Sequence, residues 1–289
     1  MDISLLDDVQ HFAEVADKYL RRERFSANVI ATTVEAVCRG AVPPPSGAAW
    51  VVVREGDSVQ GVAMHTPPFP LFLPRLEHRV VDALAGALQE AGRTLPGVTG
   101  ERTTVARFAE VWHARTGQTS RRRASTRMYV LGTLRPPHRV SGGPRLAVAP
   151  DAGLVAEWLS EFHDEAAPGA PTDDWAAAAH RHIAHGSLWL WVRDDMAVSM
   201  AAVRAPAAGV ARIGPVFTPP GFRRSGYGAG VTAAASRAAI DAGAEDVVLY
   251  ADLSNSDANS IYRAIGYLAH HDAETRDFEK GAPGRCSRA

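Results

Sequence analysis

Arg223-Arg224-Ser225-Gly226-Tyr227-Gly228 decides how this chain is read. The stretch stands between a short apolar run ending at Thr218 and an alanine-rich segment. There Val231, Ala234, Ala235, Ala238 and Ala239 recur at i, i+3, i+4, i+7 and i+8, the apolar face of one helix. Gly243 follows where a helix C-terminus is capped. Glycines let an anion approach the backbone closely, and the first-turn N–H groups of the helix have no carbonyl partners of their own. With the positive end of the helix dipole and two arginines, the stretch reads as a cradle for phosphate oxygens.

The pattern narrows the phosphate ligand. A P-loop needs Gly-Lys-Ser/Thr, which is absent. A dinucleotide turn reads G-x-G-x-x-G directly off a strand. Here the glycines are Gly226, Gly228 and Gly230, and Pro219 to Ser225 separate them from the strand. Asp252, after the next strand, keeps that reading open as a ribose-binding acid. A plain glycine-rich turn is the other alternative to R-x-x-G-x-G, carried by Arg223, Gly226 and Gly228.

The residues downstream separate these readings. Val247-Val248-Leu249-Tyr250 is a short buried strand. Asp252 to Tyr267 opens with N-cap residues, places Ala258, Ile261, Tyr262 and Ile265 on one helical face and ends at Gly266. The two segments together resemble the paired signatures of the GNAT superfamily of N-acetyltransferases, R-x-x-G-x-G followed by N-x-x-A-N-x-x-Y-x-x-x-G-(F/Y). The resemblance implies an α/β (α+β) fold. Its mixed, mostly antiparallel twisted sheet is flanked by helices, with a splayed strand pair at the acetyl-CoA site. It implies that Val216, Phe217 and Thr218 offer backbone groups to the pantetheine arm. Arg223, Arg224, Ser225, Gly226, Tyr227 and Gly228 would take the pyrophosphate, and Asn255 would cap the next helix and reach the pantetheine. Tyr262 would protonate the departing thiolate, although a tyrosine on that apolar face also reads as a core aromatic. The expected reaction is direct transfer of the acetyl group to a primary amine of a small molecule or peptide, with no metal. The alternative is a non-catalytic acyl-CoA-binding regulator.

The general base is unassigned, because Gly209 to Thr218 contains no acidic residue. His163, Asp164, Glu165, Asp173 and Asp174 flank a loop that in the resembling fold walls the acceptor site. They read either as a wall for a cationic amine or as a solvated loop. His180, His182 and His185 lack the i, i+4 spacing of a zinc-protease helix and read as a solvated helix end.

Composition agrees with a folded protein: 289 residues, 46% hydrophobic, 22% charged, formal net charge −1. That balance disfavours a nucleic-acid partner, and no apolar run approaches a membrane span. Arg121-Arg122-Arg123 reads as the exposed side of a strand. Cys38 and Cys286 are not expected to pair, which with the absence of a signal peptide suggests a cytoplasmic protein.

The first half repeats the second at low fidelity. Leu5, Val9, Phe12, Ala16 and Tyr19 outline a helix, Ser26 is placed to cap a second, and Trp50 to His65 reads as a hairpin. Leu154 to Phe162, Trp175 to Ile183 and Trp189 to Val203 give the same order again. The segment Pro70-Leu71-Phe72-Leu73-Pro74-Arg75-Leu76-Glu77-His78 has no glycine, so the first half cannot build the cradle. The expected organisation is a degenerate GNAT-like domain at 1–135, a linker at 136–144, a catalytic domain at 145–280 and a tail at 281–289. The first domain would stand in for a dimer partner, so the chain is a monomer or a homodimer. Met128-Tyr129-Val130-Leu131 would be a late strand of that first domain.

Overall fold

A computed structural model describes residues 1–166 and 168–279. The chain divides into two compact units, Met1–Ser125 with the segment from Asp272 onward, and Thr126–His271. Cys286 and the expected tail lie outside the described residues.

The first unit opens with β1 (Asp2–Leu6), then α1 (Val9–Arg22), α2 (Asn28–Cys38), β2 (Ala49–Glu55), β3 (Ser58–His65), β4 (Leu71–Leu73), α3 (His78–Glu90), β5 (Gly97–Glu101) and α4 (Arg102–Thr116). Leu5, read as the start of a helix, belongs to β1 and pairs with Val51. The helix starts only where Asp8 caps it by accepting from the Gln10 N–H at 2.8 Å. Ser26 does not cap α2, and its hydroxyl turns back to Glu23. Phe12, Trp50, Leu84, Leu88 and Phe108 are fully buried in the unit. Its strands β1 to β4 are neighbours in sequence order, and β4 runs parallel to β5 through Leu73↔Gly100. Gly100 has φ +138°, and a Cβ there would run into the Leu73 carbonyl oxygen. The glycine therefore permits the close approach that zips β4 to β5.

The second unit is built from β7 (Gly143–Leu146), α5 (Ala152–Ala166), α6 (Trp175–Ala184), β8 (Leu188–Arg193), β9 (Met196–Ala207), β10 (Val210–Phe217), α7 (Tyr227–Asp241), β11 (Asp246–Asp252) and α8 (Ser256–Ala264). Strands β7 to β10 form an antiparallel meander, and β10 joins β11 in parallel. Side chains alternate across this sheet. Ile213, Val203, Val247 and Leu249 pack with Val231, Ala235 and Ala239 of α7 on one face. Leu190, Met200, Ala202 and Phe217 pack with Val155, Trp158 and Ala179 of α5 and α6 on the other.

Two long strands pass between the units: β6 (Thr119–Leu131) and β12 (Tyr267–Glu279). The end of β6 pairs with β11 inside the second unit, Thr126–Val130 against Val248–Asp252. The end of β12 pairs with β5 inside the first, Ala273–Asp277 against Gly97–Glu101. Met128 to Leu131, read as a late strand of the first domain, thus completes the sheet of the second. The segment read as a linker is also not loose. Ser141 accepts a bond from the Trp191 indole at 2.9 Å, and Val140 packs on Gly226.

Candidate active site

The site grows from the point where β10 leaves β11. Their parallel rungs end at Ile213↔Leu249, while β10 continues to Phe217 and β11 to Asp252. Past that rung β10 pairs with β9 through Val216↔Ala201 and Phe217↔Met200, and β11 pairs with β6. The register slips at Gly214-Pro215, where the chain bulges. The sheet is therefore open between Val216 on one side and Tyr250–Asp252 on the other. Backbone groups facing the gap have no strand partner across it.

The loop after β10 directs a helix N-terminus at this end of the sheet. Pro220–Phe222 make a single 3-10 turn, Arg224 takes φ +63° and Gly226 takes φ +82° as the N-cap of α7. A Cβ on Gly226 would stand 2.9 Å from a Val140 methyl, so conformation and space both call for glycine there. The first intrahelical bond of α7 runs from Gly230 N–H to the Gly226 carbonyl at 2.9 Å. The N–H groups of Tyr227, Gly228 and Ala229 consequently have no i−4 partner and make an anion site. Gly230 matters for packing instead. A Cβ there would meet the Trp191 ring at 2.8 Å, so the glycine lets the helix lie on that indole.

The expected ligands divide when seen in place. Arg224 and Ser225 are exposed at the loop, while Tyr227 buries its ring, and its hydroxyl accepts from Arg193 at 3.0 Å. Only the Tyr227 backbone can face an anion. Arg223 turns away from the cradle. It donates to the Thr218 carbonyl at 2.9 Å and pairs with Glu165 at 2.7 Å. The Phe217 carbonyl already accepts from Ser199 at 3.0 Å, and the Thr218 hydroxyl is 2.8 Å from the Ser199 oxygen. Phe217 and Thr218 are thus held by protein groups, which leaves the backbone at Val216 as the open stretch.

On the far side, Asn255 caps α8 by accepting from Ala258 N–H at 2.9 Å. Asp252, the rival ribose acid, instead bonds the Ser254 N–H and hydroxyl at 2.7 and 2.6 Å. Tyr262 is 8% exposed, and its ring centroid lies 6.3 Å from that of Tyr129, the backbone partner of Leu249 at the last rung. Burial pushes the Tyr262 phenol up to about 12, so it carries its proton at neutral pH.

Three of the four acids named beside the loop between α5 and α6 are already engaged. Asp174 caps α6 through Ala177 N–H at 3.0 Å, Asp173 pairs with Arg181 at 3.3 Å, and Glu165 holds Arg223. They do not form a bare anionic wall. His163 lies against Trp175 at 5.0 Å between ring centroids. His182 is buried rather than solvated, 2.8 Å from the Ser187 hydroxyl, and burial followed by the charges of Arg204 and Arg181 lowers it to about 4. Among the described residues no His, Cys, Asp and Glu group is placed to hold a metal ion.

Arg204, Arg212 and Tyr250 went unnoticed in the sequence. Val203 and Ile213 face α7, so the adjacent cross-strand pair Arg204↔Arg212 faces the α5/α6 side, with Tyr250 next to it on β11. Burial, then Arg204, lowers Arg212 to about 10. Burial raises Tyr250 to about 12, with the Arg212 charge opposing the rise. The available signal was an arginine at a core-facing strand position, flanked by Ala211 and Ile213.

Residues 154–267 match the family model described as the Acetyltransferase (GNAT) family. The second unit carries a GNAT acyltransferase domain. Solved structures share the fold of the whole chain at low identity. An acetyltransferase from the GNAT family from Colwellia psychrerythraea is 11% identical with a TM-score of 0.59, covering 96% of this chain and 100% of that one. A GCN5-related N-acetyltransferase from Sphaerobacter thermophilus is 16% identical with a TM-score of 0.56, covering 91% and 93%. A tandem GNAT protein from the clavulanic acid biosynthesis pathway is 13% identical with a TM-score of 0.56, covering 98% and 99%. No curated protein matches the sequence significantly. The likeness in fold to a tandem GNAT protein thus extends over the chain, and the GNAT family uses acetyl-CoA as its acyl donor. No helix of the described residues is long and apolar enough to cross a membrane.

Proposed function

We propose that the second unit transfers the acetyl group of acetyl-CoA directly to a primary amine of a small molecule or peptide. The carrying observation is the opening of β10 from β11 beside the bare N-terminus of α7. An extended pantetheine chain fits a strand edge with unpaired backbone groups, and a pyrophosphate fits the first-turn donors of a helix. The N–H groups of Tyr227, Gly228 and Ala229 would hold the pyrophosphate, with Arg224 adding charge and Ser225 a hydroxyl. Arg223 would act indirectly, by fixing the loop through Thr218 and Glu165. The backbone at Val216 would line the pantetheine, and Asn255 would set the start of α8 beside it.

Catalysis then asks for three things. The amine must arrive neutral, the oxyanion that develops on the thioester carbonyl must meet a donor, and the thiolate must gain a proton. Backbone N–H groups in the gap supply the second. Tyr262, protonated at neutral pH and next to the last rung, supplies the third. β10 holds no carboxylate, so the ammonium must lose its proton to solvent or to a group outside that strand. The zipped β4–β5 pair denies the first unit the equivalent opening, which leaves one donor site per chain.

Thiol release from acetyl-CoA in the presence of amines, aminoglycosides, amino acids and peptides tests the reading. Amine-dependent release with acetylated product supports it. Acetyl-CoA binding with no release for any acceptor would favour a regulatory binding protein instead.

A further inference from the structure

We propose that His65 is an acid-sensitive latch in the first unit. Its uptake of a proton and the opening of the free end of the β2–β3 hairpin are one event.

Position comes first. His65 ends β3 opposite Ala49, at the end of the hairpin away from its turn. A Cβ on Gly61 would meet Leu76 and Val80, so that face of β3 lies under α3. Side chains two apart along a strand share a face, which places Ala63 and His65 under α3 as well. Four residues of strand span about 13 Å, a distance that a helix covers in about nine residues. His65 therefore lies towards the C-terminal end of α3, where Arg93, three residues past that helix, acts on it. Arg93 is held across the hairpin end by donating to the Gly47 carbonyl at 3.3 Å.

The ring itself is the second argument. His65 is 2% exposed, and neither of its nitrogens has a hydrogen-bond partner among the described residues. A neutral imidazole has one donor and one acceptor, and burying both unpaired carries a cost that an apolar side chain avoids. An imidazolium would bring two donors and a charge, at greater cost still. No acid faces it. Ala49 stands opposite, and the 40–48 loop, the 66–70 loop, β4 and residues 97–100 of β5 hold no titratable residue. On α3, Asp82 is tied to Arg107 at 2.7 Å and Arg79 to Glu55 and Glu77, while His78 and Glu90 are exposed. The carbonyls of Ala87, Leu88 and Gln89 at the end of α3 already accept from Ala91, Arg93 and Gly92. The Arg93 guanidinium remains, and it repels a second cation. Burial, followed by Arg93, accordingly holds the pKa of His65 below its ordinary 6.5.

The consequence is a one-proton linkage. Below pH 6.5 an opened hairpin end binds a proton that the closed end does not, so closure weakens as pH falls. The opening constant gains up to about tenfold per pH unit, until the folded ring itself titrates. The rungs released are Ala49↔His65 and Trp50↔Met64.

Hydrogen exchange of the full chain, followed by mass spectrometry from pH 7 to 5 and corrected for intrinsic rates, reads this opening at residues 49–53 and 62–65. In wild type the opening constant should rise by about tenfold or more over that range. His65→Leu and His65→Gln should lose the rise, whereas His182→Asn, altered in the other unit, should keep it. Histidine NMR gives a reading without substitution: the His65 ring should stay neutral in the folded chain below pH 6. A flat opening constant in wild type, an undiminished rise in whichever His65 variant folds, or a folded-state His65 titrating at 6.5 or above would overturn the proposal. If neither variant folds, exchange and NMR on the wild type decide it.

Discussion

At the scale of single residues, Tyr262 and His182 carry the sharpest expectations. A phenol raised to about 12 by burial keeps its proton throughout the neutral range and can give it to a thiolate. Tyr262→Phe is expected to lower kcat by about 100-fold with little change in acetyl-CoA affinity, since general acid catalysis contributes on that order. Equal loss of binding and turnover would mark Tyr262 as a packing residue. His182 sets a pH dependence of folding. Its pKa falls from 6.5 to about 4 in the fold, so between those values the unfolded chain binds a proton that the folded chain does not. Stability is complete above pH 6.5 and is lost as pH falls toward 4, by roughly 3 kcal/mol. Melting temperature measured across that range should show the loss, and His182→Asn should flatten it. The sequence made Tyr262 and Asn255 visible because their spacing is local. It hid the burial of His182 and the facing of Arg204 on Arg212, which depend on strands meeting in space.

At the scale of elements, the turn from β11 into α8 depends on Asn259. Its side chain accepts from the Tyr129 hydroxyl at 2.7 Å and donates to the carbonyls of Asp252 at 2.7 Å and Asn255 at 2.6 Å. Removing it breaks three hydrogen bonds and leaves the buried Tyr129 hydroxyl without its acceptor, while the two carbonyls keep backbone donors. Asn259→Ala should therefore destabilise by about 3 kcal/mol, against about 1 kcal/mol for Tyr129→Phe, as read by urea denaturation. By contrast, Glu165 and Arg223 are half-exposed, so Glu165→Gln should change stability by less than about 1 kcal/mol. The loop, α7, β11 and α8 were legible because glycine placement and 3.6-residue periodicity are local signals. β1 was not, because Leu5 fits the period of the helix after it.

At the scale of the whole molecule, the two long strands decide what can fold alone. β6 begins in the first unit and pairs with β11, while β12 begins in the second and pairs with β5. A fragment of residues 1–135, the domain expected from sequence, lacks the strand that covers β5. It should show exposed edge behaviour and non-cooperative unfolding, whereas the full chain unfolds cooperatively. Pairing between residues more than a hundred positions apart leaves no local trace, which is why the sequence suggested two consecutive domains. The same scale sets the donor stoichiometry, since one strand pair opens and the other is held together at Gly100. Titration calorimetry with acetyl-CoA, CoA and NADH, on wild type and on the exposed-loop variant Ser225→Glu, tests this most directly. The account predicts one acetyl-CoA per chain, at least tenfold weaker binding in Ser225→Glu and no NADH binding. No acetyl-CoA binding, two per chain, or NADH binding in its place would contradict it.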